Sequence, residues 1–204
     1  MSSISRNTRT GQTPAVVLAS GSAYRHQLLS RLLPAFIVDV PGIDEAPAPG
    51  EAPAATASRL ARAKAAAVAA RHPLAVVIGS DQVAACGDLR LGKPGGRLRA
   101  IEQLGQCAGR QLLLHTAVCV IGPGANSLSE HRDDTRLQFR QLSADAIERY
   151  VERERPYDCA GSFKFESLGI ALFSAVTTRD PSAIQGLPLI WLADALPRHG
   201  VSVL

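Results

Sequence analysis

The sequence is poor in aromatic residues: five Phe, three Tyr and one Trp make up 4% of its 204 residues. Proteins that bind single-stranded nucleic acid usually stack the bases on rows of such rings, so this scarcity argues against that class. A dense run of basic residues, another common feature of nucleic-acid binders, is missing as well. We therefore expect no nucleic-acid partner.

Long apolar segments are also missing. No stretch of about 18 uncharged apolar residues occurs, so a transmembrane helix is not expected. Residues 1–14 are polar and basic and lack the apolar centre of a secretory signal. The expected location is the cytoplasm, with no membrane partner.

The sequence contains only four cysteines, and their spacing fits no metal motif. Cys86, Cys107, Cys119 and Cys159 show neither C-x-x-C spacing nor a paired histidine. Reduced, mostly buried thiols in a cytosolic protein explain this pattern better than a disulfide or zinc framework.

The rest of the composition is typical of a folded protein. Hydrophobic residues make up 46% and charged residues 20%, which is enough apolar material for a core. The length favours one folding unit, and we predict a flexible tail over residues 1–14 and a single domain over residues 15–204. The 22 cationic residues, against 18 acidic ones, are 19 Arg and only three Lys: Lys64, Lys93 and Lys164. An ammonium is a compact, mobile point charge suited to phosphate oxygens, so these three need a local explanation.

Strands and helices are predicted to alternate along the chain. Short apolar runs with β-branched residues predict strands over residues 15–20, 36–40, 75–81, 112–122 and 135–142. Helices are predicted after the first strand, on the leucine spacing of residues 28–33, near the end of the chain, and over about 56–71, 97–107 and 144–154. Thr56 or Ser58 is the expected cap of the alanine-rich helix. Ser143 is the expected cap of the helix over residues 144–154. This alternation is typical of the α/β class.

Two glycine-containing segments imitate nucleotide-binding loops. GDLRLGKP, residues 87–94, fits the G-x-x-x-x-G-K part of a phosphate-binding loop, yet Pro94 stands where Ser or Thr would hold magnesium, and DLRL favours a strand. GPGANS, residues 122–127, is only distantly similar to a dinucleotide fingerprint and favours a β-turn. Neither segment is interpreted as a Walker loop or a dinucleotide-binding loop.

Small polar residues follow the first predicted strand. Ser20, Gly21 and Ser22 lie in the strand-to-helix turn, and Arg25 lies in the first turn of the helix. Free backbone N–H groups, hydroxyls, the positive helix end and a guanidinium together form a candidate anion site. The alternative is an ordinary serine cap beside a solvated arginine.

Acidic residues and lysines form a second candidate group. Asp81 stands at a predicted strand end, where open α/β sheets bind ligands, and could hold a divalent cation or take a proton from water. Its alternative role is to cap backbone N–H groups in a turn, and Glu45, a second loop acid, could simply be exposed. Lys64 and Lys93, each taken alone, would be solvated cations. Together with Arg25, however, these residues supply what phosphoryl transfer needs, which is positioning, charge neutralisation and an activated water.

Seven segments resemble, in order and spacing, the Maf family of nucleoside triphosphate pyrophosphatases: VVLASGSAYRHQLLSRL, GIDEAP, ARAKAAAVA, VVIGSDQVA, LGKP, CAGSFKFESLGIALF and GLPLIWL. The resemblance covers residues 15–200. It implies an α/β fold with a Maf/ITPase-like mixed twisted sheet flanked by helices, and two lobes around a nucleotide cleft. It also implies hydrolysis between the α and β phosphates of a nucleotide, which yields a monophosphate and pyrophosphate.

The same resemblance implies roles for individual residues. Asp81 of GSDQ matches the catalytic acid that activates water or binds the metal, and Glu45 matches a second metal-binding acid. The implied cofactor is a divalent cation, Mg²⁺ or Mn²⁺, and the implied partner is a small-molecule nucleotide. The oligomeric state is left open, with a homodimer as a candidate. The phosphate-binding positions fall on Ser20, Arg25, Lys64 and Lys93, while Lys164 is expected near the base pocket.

Three further positions concern the base. The subgroup that acts on dTTP and UTP typically carries Arg, Thr and Gln where this chain has Tyr24, Gln82 and Glu166. The pattern here is similar to the 7-methyl-GTP subgroup, which typically has Trp, Gln and Glu. An aromatic face can stack on a cationic methylated purine, and a carboxylate can accept hydrogen bonds from guanine and offset the ring charge.

The chain departs from the family pattern at three places, where Ala23 replaces Pro, Tyr24 replaces Trp and Ser167 replaces Gly. The expected function is a house-cleaning hydrolysis of 7-methyl-GTP or a related modified nucleotide. One alternative is a pyrophosphatase for dTTP, UTP or a modified pyrimidine. Another, from a different class, is a non-catalytic nucleic-acid-binding or septum-related regulatory protein.

Overall fold

A computed structural model describes residues 13–124 and 127–204. Most of the expected N-terminal tail, and residues 125 and 126 of the expected GPGANS turn, lie outside these ranges. The strands are β1 (Val16–Ala19), β2 (Ile37–Val38), β3 (Val76–Cys86), β4 (Leu89–Leu91), β5 (Gln111–Ile121), β6 (Leu128–Phe139) and β7 (Phe173–Thr177). The α-helices are α1 (Ala23–Leu29), α2 (Pro53–Ala69), α3 (Arg97–Cys107), α4 (Ala144–Glu154) and α5 (Leu189–Ala195), with 3-10 helices at Leu168–Leu172, Pro181–Gln185 and Leu196–His199.

The strands form one mixed seven-stranded sheet in the order β2-β1-β3-β5-β6-β7, with β4 paired to β3. β1 runs parallel to β2 and β3, whereas the β3–β5, β5–β6 and β6–β7 pairs are antiparallel. Helices cover both faces. The predicted α/β class with a mixed sheet flanked by helices is therefore confirmed.

β3 is the strand that creates the functional cleft. One edge of β3 pairs continuously with β5 over nine residues, Val77 to Ala85. The other edge pairs first with β1, which ends opposite Gly79, and then with antiparallel β4, whose last residue, Leu91, lies opposite Ala84. Over residues 80–83 this edge has no neighbouring strand, so an opening lies between the part of the fold built on β1 and the part built on β4.

Side-chain alternation along β3 sends successive residues to opposite faces of the sheet. Val77 faces α2 and packs with that helix's small residues, among them Ala57, Ala61 and Ala65. Ile78, on the other face, packs with leucines of α1 and α5. Alanine-rich α2 is thus both a strong helix former and a helix whose small side chains let the sheet approach closely.

Three local expectations were wrong. β3 does not end in a turn at Asp81 but continues to Cys86, because β5 pairs with it from Val77 to Ala85 and β4 pairs with its last three residues. Neither Thr56 nor Ser58 caps α2, which begins at Pro53; Pro is favoured in the first turn because it has no N–H to satisfy. α1 ends at Leu29, before the last two leucines of the predicted spacing.

Other expectations were confirmed. Ser143 caps α4, its side chain accepting a hydrogen bond from Ala146 N, and α3 covers the predicted residues 97–107. The four cysteines are free, with Cys159 alone partly exposed. DLRL belongs to a β3–β4 hairpin rather than to a phosphate-binding loop. A separate finding, made for residues 13–124 and 127–204 alone, is that no helix is both long and apolar enough to span a membrane.

The close approach of α2 to β3 generates the first prediction. A Cβ atom on Gly79 would lie 2.4 Å from the Ala61 carbonyl oxygen and 2.5 Å from the Ala65 nitrogen, and neither backbone atom can move alone. Gly79→Ala should therefore lower the free energy of unfolding by about 2 kcal/mol, seen as a fall in melting temperature of about 4–8 °C. Gly105→Ala in α3, where a Cβ meets nothing within 4 Å, is the matched control and should not destabilise the protein. Equal melting temperatures for both variants would contradict the argument.

Candidate functional site

A cavity of about 750 Å³ opens where β3 lacks a neighbour on one edge. It is bordered by the β1–α1 turn, the loop before α2, one face of α2, the segment after β4, and residues 158–166. Nine side chains singled out from the sequence line it: Ser20, Tyr24, Arg25, Glu45, Lys64, Asp81, Gln82, Lys93 and Glu166.

The β1–α1 turn holds the first group of these residues. Ser22 has extended backbone angles and accepts a hydrogen bond from the Arg25 nitrogen, which starts α1. Ser20 Oγ accepts hydrogen bonds from the Ser22 nitrogen at 3.2 Å and from Arg25 Nη1 at 3.3 Å. The Arg25 Nε donates to the Gly186 carbonyl oxygen at 2.9 Å. The guanidinium is therefore fixed at the cavity wall.

Burial lowers the pKa of Arg25, while the nearby carboxylates of Asp81 and Glu45 act in the opposite direction. Arginine nevertheless stays protonated under ordinary conditions. A desolvated cation without a directly bound carboxylate is a favourable partner for an incoming anion. This favours the anion-site interpretation of the turn over the alternative of a solvated arginine.

The second group is a buried lysine between two carboxylates. Lys64 Nζ, on α2, donates to Asp81 Oδ1 on β3 at 2.6 Å and lies 2.9 Å from Glu45 Oε2. Lys64 and Asp81 are 5% and 6% exposed, whereas the side chain of Glu45 is 55% exposed. The cluster lies on the α2 face of the sheet and is reached from solvent on the Glu45 side.

Burial raises the pKa of Asp81 above its ordinary value of 3.8, and the opposing effects of Lys64 and Arg25 do not cancel it. A carboxyl group with a raised pKa, set in a cleft, can exchange a proton with a water molecule near neutral pH more readily than an ordinary aspartate. The cluster is thus suited to proton transfer beside a bound anion.

Asp81 and Glu45 are also the candidate ligands for a divalent cation. Within residues 13–124 and 127–204, no group of three or more His, Cys, Asp or Glu side chains is arranged to hold a metal. Mg²⁺, however, is commonly held by one or two carboxylates, with phosphate oxygens and water completing its shell. The two acids fit a cation that arrives with a nucleotide, although Lys64 now contacts both of them.

The far end of the cavity is lined by Tyr24, Cys159, Phe163, Phe165 and Glu166. The Tyr24 hydroxyl lies 3.4 Å from Cys159 Sγ, which joins α1 to the 158–166 segment. Burial is the larger cause and this contact the second cause of a pKa of Tyr24 well above its usual range. The phenol therefore stays protonated. Aromatic faces and one exposed carboxylate thus occur together at this end.

Gln82 faces away from Asp81, on the opposite side of β3. Its Nε2 donates to Thr116 Oγ1 at 2.8 Å, to the Ala183 carbonyl at 2.9 Å and to the Ile184 carbonyl at 3.2 Å. Because this amide nitrogen already has three protein acceptors, a direct contact between Gln82 and a ligand would use Oε1. The other effect of Gln82 is to hold the 3-10 helix Pro181–Gln185 against the sheet.

This 3-10 helix is itself built around a buried aspartate that the sequence did not single out. Asp180 Oδ1 accepts from the Ser182 nitrogen at 2.9 Å, and Asp180 Oδ2 accepts from the Ile190 nitrogen at 2.7 Å. The segment ends at Gly186, whose carbonyl accepts from both Arg25 Nε and Ser80 Oγ. The platform that orients Arg25 therefore depends on contacts across long sequence separations, for which no local sequence pattern exists.

Three further cationic side chains, two lysines and one arginine, lie in or near the cavity. Lys93 lines the cavity as expected. Lys164 lies in the chain between the lining residues Phe163 and Phe165 but is not itself a lining residue, and its Nζ donates to the Glu154 carbonyl at 2.8 Å. Arg90 of β4 lines the cavity although the sequence did not mark it. Strand alternation alone predicts that Arg90 and buried Leu91 point to opposite faces of the sheet. It does not predict that the Arg90 side chain faces α2.

Comparison with known proteins connects this geometry to a family. Residues 15–199 match the family model described as Maf-like protein. The 7-methyl-GTP pyrophosphatase of Xanthomonas oryzae pv. oryzae (strain MAFF 311018) is 54% identical over 187 residues, covering 92% of this chain and 97% of the relative.

Other relatives give the same picture. The 7-methyl-GTP pyrophosphatases of Alcanivorax borkumensis and Thiobacillus denitrificans are 46% and 47% identical over 194 and 197 residues. They cover 95% and 97% of this chain and 98% and 97% of their own lengths. Among solved structures, the Staphylococcus aureus Ham1 protein is 16% identical, with a TM-score of 0.45 over 76% of this chain and 89% of that one.

The buried Lys64–Asp81 pair generates the second prediction. Lys64→Met removes the ammonium that lowers the pKa of Asp81, so this pKa should rise further, as measured by carboxyl ¹³C NMR titration. A raised folded-state pKa of an acid favours folding at low pH and costs stability as the pH rises through it. The variant should therefore be less stable than the wild type by about 3 kcal/mol at pH 7, and by less at pH 4.

Arg62→Met on the same helix is the control, because Arg62 is exposed and pairs with Glu130 away from Asp81. It should leave the titration of Asp81 unchanged. An unaltered pKa of Asp81 in Lys64→Met would show that the pair is not what holds this carboxylate ionised.

Proposed function

The chain belongs to the Maf family, and on that premise we propose that it is a nucleoside triphosphate pyrophosphatase that acts on 7-methyl-GTP. Its relatives named 7-methyl-GTP pyrophosphatase are 46–54% identical over more than nine tenths of the chain. The observation that carries the proposal is the buried Lys64–Asp81 pair in the same cavity as Arg25. The reaction cleaves the α–β phosphoanhydride and yields 7-methyl-GMP and pyrophosphate.

Asp81 is assigned the role of general base. Its carboxylate takes a proton from a water molecule, the water oxygen bonds to the α-phosphorus, and the bond from that phosphorus to the bridging oxygen breaks. Lys64 keeps Asp81 ionised and offsets negative charge that builds up on the phosphates. Ser20, Arg25 and Lys93 bind phosphate oxygens; Arg25 is held ready for this by Gly186.

A divalent cation, Mg²⁺ or Mn²⁺, would be held by Asp81 and Glu45 together with oxygens of the nucleotide. When bound, it neutralises phosphate charge and makes the phosphorus more susceptible to attack. The exposure of Glu45 supports this assignment, since a loop carboxylate at the solvent side can accept a cation that enters with the substrate.

The base is assigned to the aromatic end of the cavity. Tyr24 stacks on the methylated purine, and Glu166 accepts hydrogen bonds from guanine while its charge offsets that of the ring. Gln82 contributes by fixing the segment that carries Ile184, a lining residue. Because a methylated guanine carries a positive charge that GTP lacks, the charge of Glu166 should distinguish the two.

We place this reaction in the cytoplasm, where it removes a noncanonical nucleotide before it is used. The reactants are small molecules, so no nucleic-acid or membrane partner is needed. A homodimer is compatible with this function.

The third prediction tests the reaction itself. With Mg²⁺ or Mn²⁺, the protein should release pyrophosphate faster from 7-methyl-GTP than from GTP, dTTP or UTP.

Asp81→Asn should remain folded and lose at least about 100-fold in turnover, because it can no longer accept a proton. In the metal-free protein the pKa of Asp81 should lie above the ordinary carboxyl value of 3.8, as measured by carboxyl ¹³C NMR titration.

The alternatives are separated in the same assay. Faster release from dTTP, UTP or a modified pyrimidine would favour a pyrimidine-specific enzyme of the same family. No release from any triphosphate, together with a salt-dependent gel shift of RNA, would favour a nucleic-acid-binding protein and overturn the proposal.

The fourth prediction concerns Glu166. Glu166→Gln keeps a hydrogen-bond acceptor but loses the charge, so kcat/KM should fall about tenfold for 7-methyl-GTP and much less for GTP. Glu152→Gln, on the exposed face of α4, is the control and should leave both values unchanged. An equal loss for the two nucleotides would remove charge recognition from the role of Glu166.

A further inference from the structure

Arg90 is a cavity cation that the function assigned above does not use. It lies in the middle of the short strand β4, next to buried Leu91, and its side chain reaches α2. Its Nη1 donates to Thr56 Oγ1 at 3.0 Å. The guanidinium is thus held at a defined place on the cavity wall.

The position of Arg90 on the sheet shows which end of the cavity it serves. In the antiparallel β3–β4 pair, Arg90 lies opposite Ala85, and directly opposed residues point to the same face. Ala85 shares its face with Asp81, four residues earlier on β3. Arg90 is therefore on the same side of the sheet as Lys64 and Asp81, whereas Gln82 and its contacts lie on the other side.

The cavity continues along α2 from the reacting group to Arg90. Thr56, Leu60 and Lys64 follow one another at four-residue intervals on one helix face, and all three line the cavity. Two turns of helix separate the Cα atoms of Thr56 and Lys64 by about 12 Å. A polyphosphate chain whose reacting phosphorus lies at Asp81 therefore has room to extend towards Arg90.

The charge of Arg90 is free to act on such a chain. Lys64 is already paired with two carboxylates. The ion pairs found in the described part of the chain do not include Arg90, and its hydrogen-bond partner Thr56 is neutral. The nearby acid Glu51 is taken up by Arg59, with contacts of 2.7 and 2.8 Å. Arg90 thus presents an uncompensated guanidinium to the cavity.

Building on the proposed function, we propose that Arg90 binds the two phosphates that leave as pyrophosphate. It would thereby give the enzyme its preference for a nucleoside triphosphate over a diphosphate. A planar guanidinium with five donors is well suited to phosphate oxygens. Its tether to Thr56 fixes its position before the substrate arrives, which reduces the entropy lost on binding.

The experiment measures the binding of pyrophosphate to the protein directly, so it does not require turnover. Isothermal titration calorimetry with magnesium pyrophosphate should give about tenfold weaker binding for Arg90→Gln than for the wild type, a difference of about 1.4 kcal/mol. Binding of 7-methyl-GMP should be unchanged, because that product lacks the leaving phosphates. Arg90→Lys should recover part of the pyrophosphate affinity.

Two controls separate this role from a structural one. Arg99→Gln, an exposed arginine of α3 that pairs with Glu102, should bind pyrophosphate like the wild type. Thr56→Val removes the tether but keeps the charge, so it should weaken pyrophosphate binding less than Arg90→Gln does. Melting temperatures of all variants establish that they are folded.

The kinetic counterpart is a rise in KM for 7-methyl-GTP of about tenfold in Arg90→Gln, with little change in kcat; the KM for 7-methyl-GDP, which offers only one of the two phosphates, should rise less. Pyrophosphate binding that is equal in Arg90→Gln and the wild type would overturn the proposal. So would an equal loss of pyrophosphate and 7-methyl-GMP affinity. If the wild type hydrolysed no nucleotide, the proposed function would fail, while the calorimetric comparison would still decide whether Arg90 binds pyrophosphate.

Discussion

The site depends on a mismatch in strand length. β3 has eleven residues, and β1 beside it has only four. Pairing with β5 keeps β3 straight past the point where β1 ends, so the sheet keeps its order while one edge of β3 is open for four residues. Asp81 is in this open stretch, and α2 can press Lys64 onto it because Gly79 presents no side chain.

Much of the architecture could be predicted from the sequence because it rests on local signals. Apolar β-branched runs marked most of the strands, and α3 and α4 had the expected bounds because their helical spacing and, in α4, a serine cap are local features. The extent of β3 could not be predicted in this way. G-S-D is a common turn sequence, and it forms a strand because all three residues pair with β5, more than thirty residues away.

The sequence could predict candidate site residues only where their chemistry shows in a local motif. Nine expected side chains line one cavity, including Tyr24 and Glu166, which are 142 positions apart in the 204-residue chain. Arg90 was missed because a lone arginine in a strand carries no mark of what it faces. Asp180 was missed because its role is to satisfy N–H groups of a segment that, in turn, positions Arg25 through Gly186.

The alternation of side chains along β3 has an evolutionary consequence. Asp81 faces the helix that carries Lys64, and its neighbour Gln82 faces the segment beside the aromatic end of the cavity. In the proposed function, hydrolytic chemistry and base preference thus fall on adjacent residues that lie on opposite sides of one strand, with separate packing environments. A lineage can change which nucleobase it accepts by substitutions on one side while the machinery that breaks the anhydride stays as it is. One scaffold can in this way give rise to a set of enzymes that share a reaction and divide the nucleotides among themselves.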